Sequence, residues 1–293
     1  PSASPPPPAM QPVTRPLRND YAFEWSLSDD GTHLAYIRNA DNGIHELHLV
    51  TVASASASAS ATDDVLHRGI MLSHPAFSRD GKTLFLTEGY LVSPTEPAAT
   101  DPQRITAIDL ATRTSRRLPN PGVTEITSPL DLGDGRLLFA ASADFSMAGR
   151  DPRLHTMPFA GGPWSTLGPF TVPAGYLSAT PSPDRVAPRK LALAWSKRQG
   201  GFGADWYTEI SIAPLDGASP KPLTPDFPRP FYTAAAPTWA PDGRHLAFVL
   251  NLCPYVGCDL NIRSVVLVDT DAPRPKLAFL GHGGSPVFAP PPP

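Results

Sequence analysis

A short pattern, an Asp-Gly pair followed at once by apolar residues, recurs at a spacing of about 50 residues and constrains the fold more than any other feature. Asp-Gly favours a tight hairpin because glycine readily adopts the positive φ that such turns demand. The pattern therefore predicts a series of similar hairpins. The copies centre on Asp30-Gly31, Asp80-Gly81, Asp134-Gly135 and Asp242-Gly243, with a degraded copy between Thr180 and Trp195.

Each copy also contains runs that predict two further strands. The third-strand runs are Ile44–Val52, Gln103–Leu110, Arg153–Phe159, Thr208–Leu215 and Asn261–Asp269. A fourth, shorter run follows, as in Ser115–Leu118 and Lys221–Thr224. Four strands per unit, repeated at a fixed period, are typical of β-propeller blades. We therefore predict an all-β fold, a β-propeller of four-stranded antiparallel blades with five recognisable blades.

These copies resemble the TolB-type, WD40-like β-propeller repeat. Its pattern is approximately Pro-x-Trp-Ser-Pro-Asp-Gly-Lys, an apolar strand, Ile-Tyr-x-x-Asp and a closing Leu-Thr. Two pairs of segments carry the resemblance: Pro237–Val249 with Lys221–Thr224, and Pro75–Leu86 with Ile105–Leu118. The resemblance covers nearly the whole chain, residues 20–289, and implies a propeller domain over residues 20–293.

The resemblance implies a non-catalytic scaffold that binds a protein, peptide or glycan on its loops and central channel, without a cofactor. The same repeat occurs in prolyl-oligopeptidase-type peptidases, so a second interpretation is the propeller portion of a larger peptidase whose catalytic part is missing from this chain. A third, a propeller lyase, needs histidine and acidic residues on the inner strands. The sequence does not show that convergence.

The start of a sixth copy is present at Ser285–Pro291, where Phe288 takes the place of Trp25 and Trp239. Two interpretations remain open. The chain is a fragment of a six-bladed propeller, or residues near the N-terminus pair with the C-terminal strand and close a smaller ring. In either case we predict that Trp25, Phe77 and Trp239 pack between neighbouring blades.

Composition supports short strands and excludes some partners. The chain has 293 residues with 38 Pro and 22 Gly, which penalise long helices. Its formal net charge of −3, from 24 basic and 27 acidic residues, gives no electrostatic reason to expect nucleic acid binding. No apolar run approaches the roughly 18 residues of a membrane span. We therefore predict that the protein does not bind nucleic acid and has no membrane span.

Two segments are predicted to lie outside the packed fold. Residues 1–19 are Pro-rich and predict a disordered tether. Residues 53–61 alternate Ser and Ala, which lack the bulk to pack, and predict a flexible insertion within the propeller domain.

The sequence carries no catalytic motif and favours a protein that is not an enzyme. Gly-x-Ser-x-Gly is absent, and Gly281–Ser285 is more simply a turn than an oxyanion hole. His45 and His48 lie three apart on a strand, so they point to opposite faces and predict no shared metal. The aspartates of the Asp-Gly pairs are interpreted as turn residues. We therefore predict no catalytic and no metal site.

One loop is a candidate for binding, and another for a disulfide. Phe202, Trp206 and Tyr207 lie close together in a Gly-rich hairpin, where aromatic side chains can form a binding edge or fold back on their own blade. Cys253 and Cys258 either form a disulfide that closes their loop or remain free thiols. A disulfide indicates an oxidising compartment, and we favour a periplasmic or secreted protein.

Overall fold

The fold consists of β-strands and turns. The computed structural model describes residues 22–40, 44–51, 62–89, 103–120, 122, 125–142, 152–171, 177–183, 189–198, 206–215, 220–223, 232–252, 262–273, 275–283 and 286–288. These ranges hold 20 strands and no helix, and therefore no helix that could span a membrane. The Pro-rich residues 1–19 and the Ser-Ala tract 53–61 lie outside the described residues, so their disorder stays a prediction.

The strands form five blades, numbered here in chain order. Blade 1 contains β1 (Ala22–Leu27), β2 (His33–Asn39), β3 (Ile44–Thr51) and β4 (Asp63–Ile70). Blade 2 contains β5 (Leu72–Phe77), β6 (Thr83–Glu88), β7 (Arg104–Asp109) and β8 (Ser115–Arg117). Blade 3 contains β9 (Glu125–Asp131), β10 (Arg136–Ser142), β11 (Arg153–Pro158) and β12 (Ser165–Thr171). Blade 4 contains β13 (Leu177–Pro181), β14 (Lys190–Arg198), β15 (Trp206–Pro214) and β16 (Lys221–Pro222). Blade 5 contains β17 (Tyr232–Trp239), β18 (His245–Leu252), β19 (Ile262–Asp269) and β20 (Leu277–His282).

Within each blade, consecutive strands pair antiparallel, which confirms the predicted propeller of five four-stranded blades. One parallel pairing, Thr208 with Thr233, joins β15 to β17, so blades 4 and 5 share a continuous sheet. The predicted third strands agree with the observed ones to within about two residues at each end. The described residues form no sixth blade.

The Asp-Gly pairs make the turns between the first and second strands of a blade. The amides of Gly31, Gly81 and Gly243 each donate to the carbonyl three residues earlier, and the three glycines have φ of 71°, 68° and 63°. The Asp80 carboxylate accepts from the Ser78 hydroxyl at 2.6 Å and from the Lys82 amide at 3.1 Å. The prediction that these aspartates are turn residues is confirmed.

Gly81→Ala is expected to destabilise the protein by about 1–2 kcal/mol, because an L-residue is strained in the left-handed region. A Cβ on Gly81 meets nothing within 4 Å, so the cost comes from the backbone alone. Gly283→Ala is the matched control, since Gly283 has no positive φ and its nearest neighbour to a Cβ is 3.7 Å away. Urea unfolding of both variants measures the difference, and equal midpoints would contradict the turn argument.

Apolar side chains between successive blades form the core. Strand residues alternate between two faces, so each central strand contributes to the interfaces on both of its sides. Four apolar clusters join blades 1 and 2, 2 and 3, 3 and 4, and 4 and 5. The Phe85 ring contacts that of Phe159 between blades 2 and 3, at a centroid distance of 5.1 Å, and Phe248 belongs with Ala194 to the cluster between blades 4 and 5.

The face of blade 1 that points away from blade 2 is polar. The fourth residue of the second strand is apolar and packs on the preceding blade in blades 2 to 5, where it is Leu86, Phe139, Leu193 and Phe248. In blade 1 this residue is Tyr36, whose hydroxyl donates to Asp63 at 2.7 Å and whose ring stacks on His48 with a centroid distance of 4.8 Å. Blade 1 therefore differs from the other blades on this face.

A buried carboxylate organises that polar face. Glu46 is only 5% exposed and receives Arg38 at 2.6 Å and Arg68 at 2.9 Å, one on each carboxylate oxygen. His48 is also buried and contacts Asp63 at 2.8 Å, whereas the His45 ring lies 3.1 Å from the Leu72 carbonyl towards blade 2. The two histidines point to opposite faces as predicted, but His48 is not solvent-facing.

Candidate functional site

The first strands of all five blades line a central channel. Its larger cavity has a volume of about 690 Å³ and extends to the end of the channel where the Asp-Gly turns lie, called here the turn end. Pro286, Val287 and Phe288 also line this cavity without forming a strand. The sixth copy of the repeat thus places its first residues at the channel, as a first strand would be placed.

Arg79 crosses the turn end and ties three blades together. Its amide donates to the Asp131 carboxylate at 2.9 Å. Its guanidinium donates to the carbonyls of Asp131 at 3.3 Å and Ser182 at 3.2 Å, in blades 3 and 4. The guanidinium therefore bonds to the walls of the channel.

The opposite end of the channel forms a second cavity of about 350 Å³, which we call the channel entrance. Its titratable side chains are a glutamate and a histidine, whereas those at the turn end are Asp29, Arg79 and Asp131. The lining residues that define the entrance are Glu24, Trp25, His74, Ser128 and Ser178, with prolines and alanines between them.

The channel entrance lies at the end where the second strand of each blade joins the third. This follows because consecutive strands alternate in direction, so the second strand ends where the first begins. The five connections between second and third strands comprise residues 40–43, 89–103, 143–152, 199–205 and 253–261, and they differ widely in length. The blades therefore differ from one another in the length of the connections at this end.

Three of the first strands carry the same backbone irregularity where they face the channel. His74, Ser128 and Ala236 have φ of 53°, 51° and 50°, each directly before a proline, and each lies at a shift in strand register. Such bulges hold a strained conformation that only the surrounding structure can maintain. The walls of the channel are therefore fixed in shape before any ligand arrives.

Glu24 and His74 meet at the entrance, but not through their side chains. The His74 amide donates to one Glu24 carboxylate oxygen in a short hydrogen bond between blades 1 and 2. The His74 ring instead places Nδ1 at 3.1 Å from the Ser73 hydroxyl and 3.3 Å from the Thr87 hydroxyl. Burial lowers the pKa of His74 below its usual value, against the opposing attraction of Glu24.

Trp25 exposes 41% of its surface, in contrast to Phe77 at 9% and Trp239 at 7%. Packing between blades is confirmed for Phe77 and Trp239 but was wrong for Trp25. The turn hydrogen bonds of Ser28 and Ser78 are equivalent, so Leu27, not Trp25, corresponds to Phe77. Trp25 lies two residues earlier in β1, where it lines both cavities of the channel.

The indole N–H of Trp25 also differs from those of other tryptophans. Trp239 donates to the Thr180 carbonyl at 2.9 Å, and Trp164 donates to the Pro119 carbonyl at 3.2 Å, each in the preceding blade. The Trp25 indole has no hydrogen-bond partner among the residues that the structure describes. The channel entrance thus contains an aromatic face and a donor that the fold itself does not use.

The residues predicted from the sequence lie elsewhere or outside the described part of the chain. Trp206 and Tyr207 begin β15, paired with Arg198 and Lys197, so their backbone lies at the entrance end of blade 4. Phe202, Cys253 and Cys258 lie outside the described residues, and the binding role and the disulfide stay predictions. Within the described ranges no group of three or more histidine, cysteine, aspartate or glutamate side chains is arranged for a metal.

Sequence analysis missed Glu24 and His74. It found no histidine and acidic residue converging on the inner strands, whereas the structure brings these two together from β1 and β5. A signal was present, because His74-Pro75 occupies the repeat position of Ala236-Pro237 and Ser128-Pro129. A histidine in that position must lie at the channel wall.

The strands, turns and channel together define a β-propeller with an open central channel. Its fold is that of the TolB-like propellers. TolB from Acinetobacter baumannii has a TM-score of 0.62 and 19% identity, over 90% of this chain and 56% of that chain. A putative TolB from Agrobacterium tumefaciens has a TM-score of 0.60 and 16% identity, over 91% of this chain and 83% of that one.

Some solved peptidase structures have lower TM-scores than these two TolB structures. Prolyl oligopeptidase B from Galerina marginata has a TM-score of 0.48 and 12% identity, over 90% of this chain and 43% of that chain. No protein-family model matches the sequence, and no curated protein matches it significantly. This chain spans 56% of the first TolB structure, so the likeness concerns the propeller fold.

Proposed function

We propose that this chain is a non-catalytic binding scaffold that takes an extended segment of a partner protein into the channel entrance. The observation that carries the proposal is the convergence of all five first strands on one cavity whose walls are fixed by strained bulges. A preformed concave site, with loops of differing length around it, suits recognition better than a flat surface does.

The dimensions of the channel suit a polypeptide. β1 has six residues, which span about 20 Å, so an extended segment of similar length fits along the channel axis. The walls supply mainly prolines and small side chains, among them Pro75, Pro129 and Ala179. Such walls favour contacts with an extended chain of varied sequence, and the polar groups at the entrance add specificity.

The geometry at the entrance favours binding over catalysis. A carboxylate that assists a histidine in proton transfer bonds to its ring, as in hydrolase triads. Glu24 instead bonds to the backbone amide of His74, and the ring faces two hydroxyl groups. We therefore propose no turnover of ester, peptide or glycoside substrates. The peptidase interpretation places any catalysis outside this chain.

Panning a random peptide library against the folded chain tests the proposed function. Leu130 lines both cavities of the channel, so Leu130→Trp is expected to narrow it and to weaken the selected peptides by about tenfold or more. Leu280→Trp is the matched control, because Leu280 is 57% exposed on the outermost strand of blade 5. Peptides that bind Leu130→Trp and Leu280→Trp equally well would contradict the proposal that the channel is the binding site.

A further inference from the structure

The described residues that line the channel entrance include an acidic side chain but no lysine or arginine. Glu24 is the only carboxylate among them, and the His74 ring faces the Ser73 and Thr87 hydroxyls rather than Glu24. One Glu24 oxygen accepts from the His74 amide. The other oxygen has no hydrogen-bond partner within the described part of the chain.

The nearest channel-lining cation does not compensate for this charge. Arg79 lies at the turn end and is bonded to Asp131 and to the Ser182 carbonyl. A half-buried carboxylate loses hydration that only an opposite charge or further donors can replace. The entrance therefore has room and electrostatic reason for a positive group.

Trp25 supplies a second reason for the same ligand chemistry. Trp25 follows Glu24 in β1, so the two side chains leave the strand on opposite faces, yet both residues line the same cavity and Trp25 is 41% exposed. A cation placed over the face of an indole is attracted by the negative face of the ring, and the attraction increases when water is excluded. A carboxylate and an indole face at one mouth are complementary to an ammonium or guanidinium group.

We propose that the channel entrance binds a basic side chain, arginine or lysine, of the partner segment, which pairs with the Glu24 carboxylate in the cavity that Trp25 also lines. This inference rests on the proposed function and names the residue type that specifies the segment. The basic group pairs with the free Glu24 oxygen, while the aliphatic part of its side chain packs along the proline-lined wall.

A pair of synthetic peptides tests this proposal on the whole folded chain. The probes are acetyl-Gly-Gly-Arg-Gly-Gly-amide and the same peptide with citrulline, which has nearly the shape of arginine but no charge. Binding is followed by the ¹⁵N–¹H signal of the Trp25 indole, assigned with Trp25→Phe. The arginine peptide is expected to shift this signal in a saturable manner and to bind at least about tenfold more tightly than the citrulline peptide.

Glu24→Gln is the decisive variant. Glutamine keeps an oxygen that can accept from the His74 amide, so the bulge is retained while the charge is lost. The preference for arginine is expected to disappear in Glu24→Gln and to persist in Glu125→Gln, the same change on the first strand of blade 3. Equal affinity for both peptides in the unmodified chain, or an unchanged preference in Glu24→Gln, would overturn the proposal.

The test of the basic side chain and the test of the channel as a binding site can fail independently. Selected peptides that lose binding in Leu130→Trp but contain no basic residue would support the channel as a binding site and reject the basic side chain. Selected peptides that bind without regard to Leu130→Trp would reject both.

Discussion

Replacing Phe248 by alanine is expected to lower the free energy of unfolding by about 3–5 kcal/mol, the largest effect of any single substitution considered. Phe248 is fully buried in the cluster that joins blades 4 and 5, together with Leu246, Leu250 and Val266. Removing the ring leaves a cavity between two blades whose backbones are each fixed by four-stranded pairing, so collapse is limited.

Phe279→Ala is the matched control within the same blade. Phe279 is 60% exposed on β20 and contacts the His282 ring at a centroid distance of 5.3 Å. We expect its change in stability to stay within about 0.5 kcal/mol. Guanidinium unfolding followed by circular dichroism measures both variants. A small loss for Phe248→Ala would show that the interface between blades 4 and 5 contributes little to stability.

Glu46→Ala is expected to cost about 2–3 kcal/mol, the second largest effect. The substitution removes the carboxylate that receives Arg38 and Arg68 and leaves the buried His48 without one of its neighbours. Asp64→Ala is the control, because the Asp64 and Arg113 side chains are 48% and 55% exposed and such a pair contributes only about 0–1 kcal/mol. Equal losses in thermal unfolding would contradict the importance of burial.

The contribution of Glu46 is also expected to depend on pH. Hydrogen bonds from Arg38 lower the pKa of Glu46 below its usual value, in spite of the opposing effect of burial. A carboxyl group whose pKa is lower in the folded state stabilises the protein above its unfolded pKa and loses this contribution as pH falls through its folded pKa. The difference between the native chain and Glu46→Ala should therefore shrink in acid. A difference that grows in acid would contradict the assignment.

Local signals in the sequence were sufficient for the blades. A tight Asp-Gly turn and alternating apolar residues determine a hairpin without knowledge of distant residues, as in the hairpin around Gly243. The third strands followed because each pairs with a neighbour close in sequence. Paired strands within a blade lie close together in sequence, which explains why the five blades could be predicted.

The channel entrance was less accessible to prediction, because it depends on register shifts in several blades at once. One bulge moves the alternation of a strand by one residue and exchanges its faces. Trp25 was misplaced although its register to the turn is unbroken, because it lies six residues before Gly31, whereas Trp239 lies four residues before Gly243. The polar face of blade 1 was missed for another reason: Glu46 and His48 alternate with leucines, a pattern typical of a solvated face.

The prolines in the first strands of blades 2 to 5 have a consequence for self-association. Pro75, Pro129, Pro181 and Pro237 lie in the first strands of blades 2 to 5, where each removes an amide from the innermost edge of its sheet. An edge with interrupted donors is a poor template for an added strand, whether from a second molecule or from a neighbouring blade that folds late. The prolines therefore protect the protein against edge-to-edge aggregation while keeping its axis open.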